Sequence, residues 1–297
     1  METIRKGSRG ESVKKLQQIL KINVDGIFGT NTETAVKQFQ LKNGLVADGI
    51  VGSKTWDKLL NMSNSNSNII IPNKPNIENY FLKPGQYLTG NYKNEYIILH
   101  HTAGGPDAKQ VVNTWNTDSQ GRVATEFIIS GINSSTGNNI NDGQIIKTFP
   151  DGCQAYHIGN SGSSTMNIHS VGVEICSMGN LTFNNGIYKT YVNSICQPNQ
   201  VVKLNKPFRG YTYYHKYSDK QLESLRQLLL FIANRDNIDL HEGLYKWIKT
   251  EGVNKAFEFH EDAYYGKVKG MLSHCSIRKD KFDVSPQQNL VDMILSL

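Results

Sequence analysis

A six-residue pattern that occurs twice in the first sixty residues limits most strongly how this part of the chain can fold. DGIFGT at 25–30 returns as DGIVGS at 48–53. The first glycine of each copy suits a turn that needs a positive φ, and the final Thr or Ser suits the start of a helix. Units this short cannot each enclose a core, so we expect short helices that stack against one another and are joined by glycine turns.

Apolar residues at helical spacing flank these turns and predict three helices. They are Val13, Leu16, Ile19 and Leu20; Ala35, Val36 and Phe39; and Trp56, Leu59 and Leu60. Ser8 with Glu11, and Thr30 with Glu33, have the spacing of a capping box. Residues 1–61 are therefore predicted to form a small all-α domain.

These residues resemble a known family. RKGSRGESVKKLQQIL, the paired glycine turns and AVKQFQ occur together as in the bacterial peptidoglycan-binding domain of the three-helix type. The resemblance spans residues 4–60. It implies a domain that holds a hydrolase on the cell wall.

The composition changes after this domain. Residues 62–78 are rich in Ser and Asn and then Pro, which predicts a linker. From residue 79 to 297, short runs rich in Ile, Val and Phe alternate with helical patterns, which predicts an α/β domain with a mixed central sheet flanked by helices. The strand candidates are 95–100, 123–129, 144–149 and 170–176; the helix candidates are 107–117, a helix that begins at Ser218, and 286–297. The stretches 180–217 and 241–268 fit no clear pattern and are interpreted as insertions.

Charge and composition narrow the classes of partner. The net charge of +6 favours anionic partners such as a cell wall, and the absence of a dense Lys/Arg block argues against nucleic acid. No run of eighteen apolar residues is present, so stable membrane insertion is not expected. The first residues lack the apolar core of a signal peptide, which predicts synthesis in the cytoplasm and action on the wall after release. No pattern indicates an oligomeric state.

Two adjacent histidines end the first strand candidate, in LHHT. Strand residues alternate faces, so His100 and His101 point in opposite directions. A late segment, SHCSIRKDKFD, adds His274 and Asp283, and imidazole and carboxylate groups both bind zinc. Taken alone, these residues leave open a metal site, packing histidines or a surface pair.

Four segments in one order support a more specific interpretation: YIILHHTAGG, QAYHIG, NIHSVGVEI and HCSIRKDKFD. Together they resemble the type-2 zinc N-acetylmuramoyl-L-alanine amidases, whose fold is shared by phage amidase lysins and peptidoglycan-recognition proteins. The resemblance covers roughly residues 90–290 and implies an α/β amidase fold with one Zn²⁺. It also implies roles for seven residues: metal ligands His100, His274 and Asp283, catalytic Glu174 and Lys281, and substrate contacts from His157 and Thr102. His101 should then face away from the metal.

The activity implied is hydrolysis of the amide between N-acetylmuramic acid and L-alanine in bacterial peptidoglycan, in a phage endolysin or a bacterial autolysin. Two alternatives stay open: a non-catalytic peptidoglycan-recognition protein, and a zinc peptidase that cuts within the stem peptide. Glu126 stands where many relatives have a histidine. We interpret it as a salt-bridged residue of the wall in preference to a second carboxylate of the site.

Overall fold

Three helices and their glycine turns make up the N-terminal part of the chain, as the repeat predicts. The computed structural model describes residues 2–20, 22–65, 75–119 and 121–297, and the chain divides into two compact units after residue 72. The first unit contains α1 (Glu11–Ile19), α2 (Thr30–Lys42) and α3 (Ser53–Ser65). Gly26 and Gly49, the first glycines of the repeats, have φ of +72° and +77°, a region that favours glycine.

The core of this unit is a single apolar cluster that all three helices contribute to. Its buried members are Ile4, Val13, Leu16, Phe28, Val36, Val51, Trp56 and Leu59. Neither capping box forms. Gly10 and Gly29 occupy the N-cap positions of α1 and α2 without a side-chain bond, and Glu33 instead pairs with Lys6 and Lys37. That prediction was wrong because α1 begins two residues later, and α2 one residue earlier, than the cap pattern requires.

A buried glutamine in each repeat organises the turn that follows it. Gln17 donates to the Asp25 carboxylate at 2.7 Å and accepts from the Gly26 amide at 2.8 Å. Gln40, 23 positions later, repeats both bonds with Asp48 and Gly49 at 2.8 Å each. The duplication therefore extends to hydrogen bonds that fix the geometry of both turns.

The predicted linker, 62–78, meets ordered structure at both ends. Residues 62–65 are the end of α3, and residues 77 and 78 belong to a strand, β1 (Ile77–Asn79), that pairs with residues 145–147. Its middle, 66–74, lies outside the described residues. Polar composition alone could not reveal β1, since this short edge strand gains its partner only in the folded sheet.

Strands and helices alternate through the second unit. The remaining strands are β2 (Tyr96–His101), β3 (Phe127–Ile129), β4 (Ile145–Lys147), β5 (Ser170–Ile175), β6 (Asn180–Asn184), β7 (Ile187–Lys189), β8 (Ile195–Cys196), β9 (Val201–Phe208), β10 (Tyr211–His215) and β11 (Gly270–Ser273). The remaining helices are α4 (Ala108–Trp115), α5 (Asp219–Asp236), α6 (Leu244–Glu251), α7 (Val253–Ala256), α8 (Glu261–Tyr264), α9 (His274–Ile277) and α10 (Gln288–Leu295). No helix of the described ranges has the length and apolar character that a bilayer crossing needs.

Six strands form a mixed central sheet in the order β1-β4-β3-β5-β2-β11, which confirms the predicted fold class. Only β3 and β4 run antiparallel; the other neighbours are parallel. One face packs on α4 through Val112, Ile128 and Ile146, and the other packs on α5 and α10. The helix predicted from Ser218 has the expected capping box between Ser218 and Gln221.

The region 180–217, for which the sequence suggested no pattern, contains a second, five-stranded antiparallel sheet in the order β8-β7-β6-β10-β9. Asn185 and Gly186 form the turn between β6 and β7 with φ of +49° and +79°. Asn-Gly at such a turn is a strong hairpin signal, so the sequence contained a cue to this sheet. The region 241–268 holds the short helices α6, α7 and α8.

Candidate metal centre

Two neighbouring parallel strands bring three potential metal ligands to one edge of the central sheet. β2 carries His100 near its C-terminal end, and β11 beside it ends where His274 begins α9. The Cys275 amide donates to the Asp283 carbonyl at 2.9 Å, which holds the following loop against this helix. The C-terminal ends of parallel strands lie at one edge of a sheet, so residues 174 positions apart, such as His100 and His274, can meet.

The ligand atoms form a small triangle. Nδ1 of His100 lies 3.0 Å from Nδ1 of His274 and 3.2 Å from Oδ2 of Asp283, and the His274–Asp283 edge is 2.9 Å. Zinc with bonds of about 2.0–2.1 Å places tetrahedral ligands about 3.3 Å apart. The three atoms are therefore close to the spacing of three corners of such a tetrahedron.

The outer hydrogen bonds indicate that both ligand nitrogens carry lone pairs. Nε2 of His274 contacts the Ile158 carbonyl at 3.1 Å and must donate to it, which leaves Nδ1 unprotonated in the neutral ring. On the other side, Nε2 of His100 lies 2.9 Å from Nδ1 of His157, whose own Nε2 lies 2.9 Å from Oγ of Ser170. If His157 donates to Ser170, it accepts from His100, and Nδ1 of His100 is unprotonated as well.

This arrangement aims three acceptors at one point. Two imidazole lone pairs and a carboxylate oxygen repel one another unless a proton or a cation lies between them. The two histidine side chains are more than nine-tenths buried and the Asp283 side chain is 13% exposed, so water screens that repulsion poorly. The donor set and its spacing fit a divalent metal ion such as zinc.

The pKa values of His100 and Asp283 keep both side chains in the protonation states that bind metal. Burial, with the neighbouring His274 charge, lowers the pKa of His100 to about 4, so this ring is neutral at pH 7. Burial by itself would raise the pKa of Asp283, but contacts with His274 and His100 outweigh it and hold that pKa well below its usual range. Metal binding needs neutral imidazole and ionised carboxylate, and His100 and Asp283 are in these forms.

Glu174 lies beside this cluster on β5, opposite His100 in the parallel ladder. Residues opposite each other share a face of the sheet, so the Glu174 carboxyl is on the metal side. Its Oε2 is buried and has no hydrogen-bond partner among the residues that the structure describes. Burial, together with the Asp283 charge, raises the pKa of Glu174 well above its usual range, while Lys281 opposes that shift.

Comparison with known proteins agrees with this geometry. A family model described as N-acetylmuramoyl-L-alanine amidase matches residues 90–279, and one described as a putative peptidoglycan binding domain matches residues 9–59. The chain belongs to the N-acetylmuramoyl-L-alanine amidase family. The match includes His100, Glu174 and His274 and ends just before Lys281 and Asp283.

Individual relatives share only part of the chain. A spore cortex-lytic enzyme of Bacillus cereus is 43% identical over 65 residues, which are 20% of this chain and 25% of that enzyme. The zinc D-Ala-D-Ala carboxypeptidase of Streptomyces albus G is 40% identical over 65 residues, 19% of this chain and 26% of that one. The chain thus spans about a quarter of the length of these curated relatives. Among solved structures, the N-acetylmuramoyl-L-alanine amidase LysC from Clostridium intestinale has 12% identity and a TM-score of 0.41, covering 75% of this chain and 96% of LysC.

The other residues predicted for the site of this family member occupy different positions around the metal cluster. Lys281 is two residues from Asp283, and its charge acts on both His100 and Glu174. Nδ1 of His157 lies 2.9 Å from Nε2 of His100, on the side of that ring opposite the ligand atom Nδ1. The Thr102 hydroxyl accepts from the Ser177 amide at 3.2 Å, which ties the end of β2 to the end of β5. Substrate contacts for His157 and Thr102 stay predictions.

Two polar residues near the site have structural partners. His101 faces away from the metal, as expected, and its Nδ1 lies 3.1 Å from the Tyr217 hydroxyl. The Glu126 oxygens lie 2.6 and 3.0 Å from the Arg235 guanidinium, and Lys147 is 3.4 Å away. The interpretation of Glu126 as a salt-bridged wall residue is confirmed.

Sequence reasoning missed the residues that support the ligands. Ser170 contacts His157, and the Ile158 carbonyl fixes His274. Gly172 makes room for this arrangement, because a Cβ there would lie 2.9 Å from Nδ1 of His157. The glycine within the apolar strand SVGVEI was the available signal, since a glycine inside a strand often marks a close approach.

Proposed function

We propose that this chain hydrolyses the amide that joins N-acetylmuramic acid to the first L-alanine of the peptidoglycan stem, with zinc bound by His100, His274 and Asp283. The observation that carries the proposal is the triangle of acceptors with an unpartnered Glu174 oxygen on the same face of the sheet. The family match supports it independently. Zinc bound there would supply Lewis acidity toward a water molecule and the scissile carbonyl.

The side chains of this chain then have distinct tasks. Glu174 accepts a proton from the attacking water and delivers it to the amine of the departing L-alanine. Its raised pKa suits a carboxyl group that must both take and release a proton near neutral pH. The Lys281 cation acts on the same region and stabilises negative charge that develops on the carbonyl oxygen.

The N-terminal unit has a separate task in this proposal. Residues 9–59 match a putative peptidoglycan binding domain, so we propose that this unit holds the chain on bacterial peptidoglycan while the second unit reacts. Tethering raises the effective concentration of the catalytic unit at its substrate.

A digest of purified peptidoglycan, with products analysed by mass spectrometry, tests the reaction. We expect free stem peptides that begin with L-alanine, intact glycan strands, loss of release after chelation and recovery with zinc. Glu174→Gln keeps the shape of the side chain but cannot accept a proton from water, so this variant should release almost no stem peptide. Cleavage inside the stem would favour a zinc peptidase, and binding without release would favour a recognition protein; either result would contradict the proposal.

A further inference from the structure

A cleft of about 490 Å³ adjoins the metal centre and is lined by segments that the proposed reaction does not use. One wall comes from the region 241–268 and the other from the loop after α9. Arg278 in that loop donates to the Ile158 carbonyl at 3.3 Å, and the same carbonyl accepts from the metal-ligand candidate His274 at 3.1 Å. The cleft also shares a loop with the metal centre, because the lining residues 277–280 lie in the chain between the ligand candidates His274 and Asp283.

Aromatic rings make up much of the cleft. The ring centroids of Tyr264 and Tyr265 are 5.0 Å apart at an angle of 77°, and Phe259 lies 5.8 Å from Tyr264. Tyr265 is 47% exposed. Gly162 lets these rings approach the opposite loop, because a Cβ there would overlap both tyrosines. Exposed aromatic faces in a concave site favour a ligand with flat apolar surfaces and polar edges.

The charges of the cleft cancel. Its lining includes two acidic residues, Glu261 and Asp280, and two basic residues, Arg278 and Lys279. Arg278 is already bound to Asp280 at 2.7 and 2.8 Å, and Lys279 lies 4.6 Å from the centroid of the Phe259 ring. A stem peptide with free carboxylates would gain little from this surface.

The two sides of the scissile bond differ in charge, and a cleft whose own charges cancel suits the uncharged side. On the sugar side, the lactyl carboxyl is consumed in the amide, so the N-acetylated sugar is uncharged and presents C–H faces and hydroxyl groups. We propose that the cleft binds the glycan next to the scissile amide, with sugar rings against Tyr264 and Tyr265. This assignment rests on the proposed function, because it names the part of that substrate that lies here.

Methyl NMR on the full chain tests the assignment without catalysis. Ile277 lines the cleft, so its δ1 methyl, identified with Ile277→Val, reports occupancy there separately from any binding by the N-terminal unit. The probes are a tetrasaccharide of N-acetylglucosamine and the tripeptide L-Ala-γ-D-Glu-L-Lys. We expect the tetrasaccharide to shift the Ile277 signal in a saturable way and the tripeptide to leave it in place.

Substitutions at Tyr265 test whether its aromatic ring contributes to tetrasaccharide affinity. Tyr265→Leu should weaken the tetrasaccharide affinity about tenfold, because it removes the stacking surface, while Tyr265→Phe should bind like the unmodified chain. Tyr191→Leu, at a tyrosine that is 63% exposed in the turn between β7 and β8, is the matched control and should change nothing. Thermal unfolding checks that each variant is folded.

Three results would overturn the assignment: no Ile277 shift with the tetrasaccharide, a shift with the tripeptide alone, or full affinity in Tyr265→Leu. Neither probe contains the scissile amide. Failure of the amidase digest and failure of this glycan site are therefore separate results.

Discussion

Two buried polar clusters, one in each unit, differ in how their hydrogen bonds balance. Around Gln40, the amide donates to Asp48 and to the Ile50 carbonyl while its oxygen accepts from Gly49, so each donor meets an acceptor. Around His100, two imidazole nitrogens and a carboxylate oxygen meet, and with both Nε2 atoms donating outward none of the three carries a proton. The first cluster is complete as protein, whereas the second has the composition and spacing of the proposed metal site. Balance of donors and acceptors thus distinguishes a structural network from a ligand site.

The largest effect should come from removing an acceptor of the unbalanced cluster. Asp283→Ala leaves only the two imidazoles and should lower peptidoglycan hydrolysis by about 10³-fold, since bound zinc would contribute several kcal/mol to the transition state. Binding to intact walls should persist, because the N-terminal unit is unchanged. Asp292→Ala, at an exposed carboxylate on α10, is the control and should hydrolyse normally. Full activity of Asp283→Ala would remove this residue from the site.

Breaking the balanced cluster should affect stability and not chemistry. Gln40 is 1% exposed, and Gln40→Leu leaves Asp48, the Gly49 amide and the Ile50 carbonyl without this partner. We expect a loss of about 3 kcal/mol in the free energy of unfolding of the N-terminal unit, measured by denaturant titration.

The control for this experiment is Gln38→Leu on the exposed side of α2, which should change that free energy by less than about 0.5 kcal/mol. Hydrolysis of a small soluble muropeptide should be the same in both variants. If Gln40→Leu lowered the rate on that substrate as well, the two clusters would not be independent.

The smallest effect should come from the support behind the metal ligand. His157→Ala removes the acceptor that orients His100 and should weaken zinc affinity about 10- to 100-fold, measured by competition with a chelator of known affinity. His157→Asn, which keeps an acceptor near the position of Nδ1, should recover part of this loss. Equal affinity of both variants and the unmodified chain would show that His157 does not position His100.

The same contrast explains which parts of the molecule the sequence could predict. The fold of both repeats could be predicted from sequence, because the contacts that hold each one are local. In the second repeat, for example, Gln40 contacts Thr55 only 15 positions away, and the turn between them depends on a glycine. The hairpin at Asn185 and Gly186 had an equally local cue that was overlooked. The two capping boxes predicted in the first unit did not form, whereas the one at Ser218 and Gln221 did, because a short pattern does not by itself determine the residue at which a helix begins.

The amino-acid sequence by itself determined the helices α1–α5 and α10, the strands β2–β5, the internal repeat, and the residue types that gather at the proposed metal centre. These follow from side-chain periodicity and from the chemistry of imidazole and carboxylate, which act within a few positions. Only the tertiary structure decided that the Nδ1 atoms of His100 and His274 face each other, that His157 contacts Nε2 of His100, and that Arg235 binds Glu126. Those contacts join residues 57 to 174 positions apart, and sheet register and loop packing, not local pattern, bring such residues together.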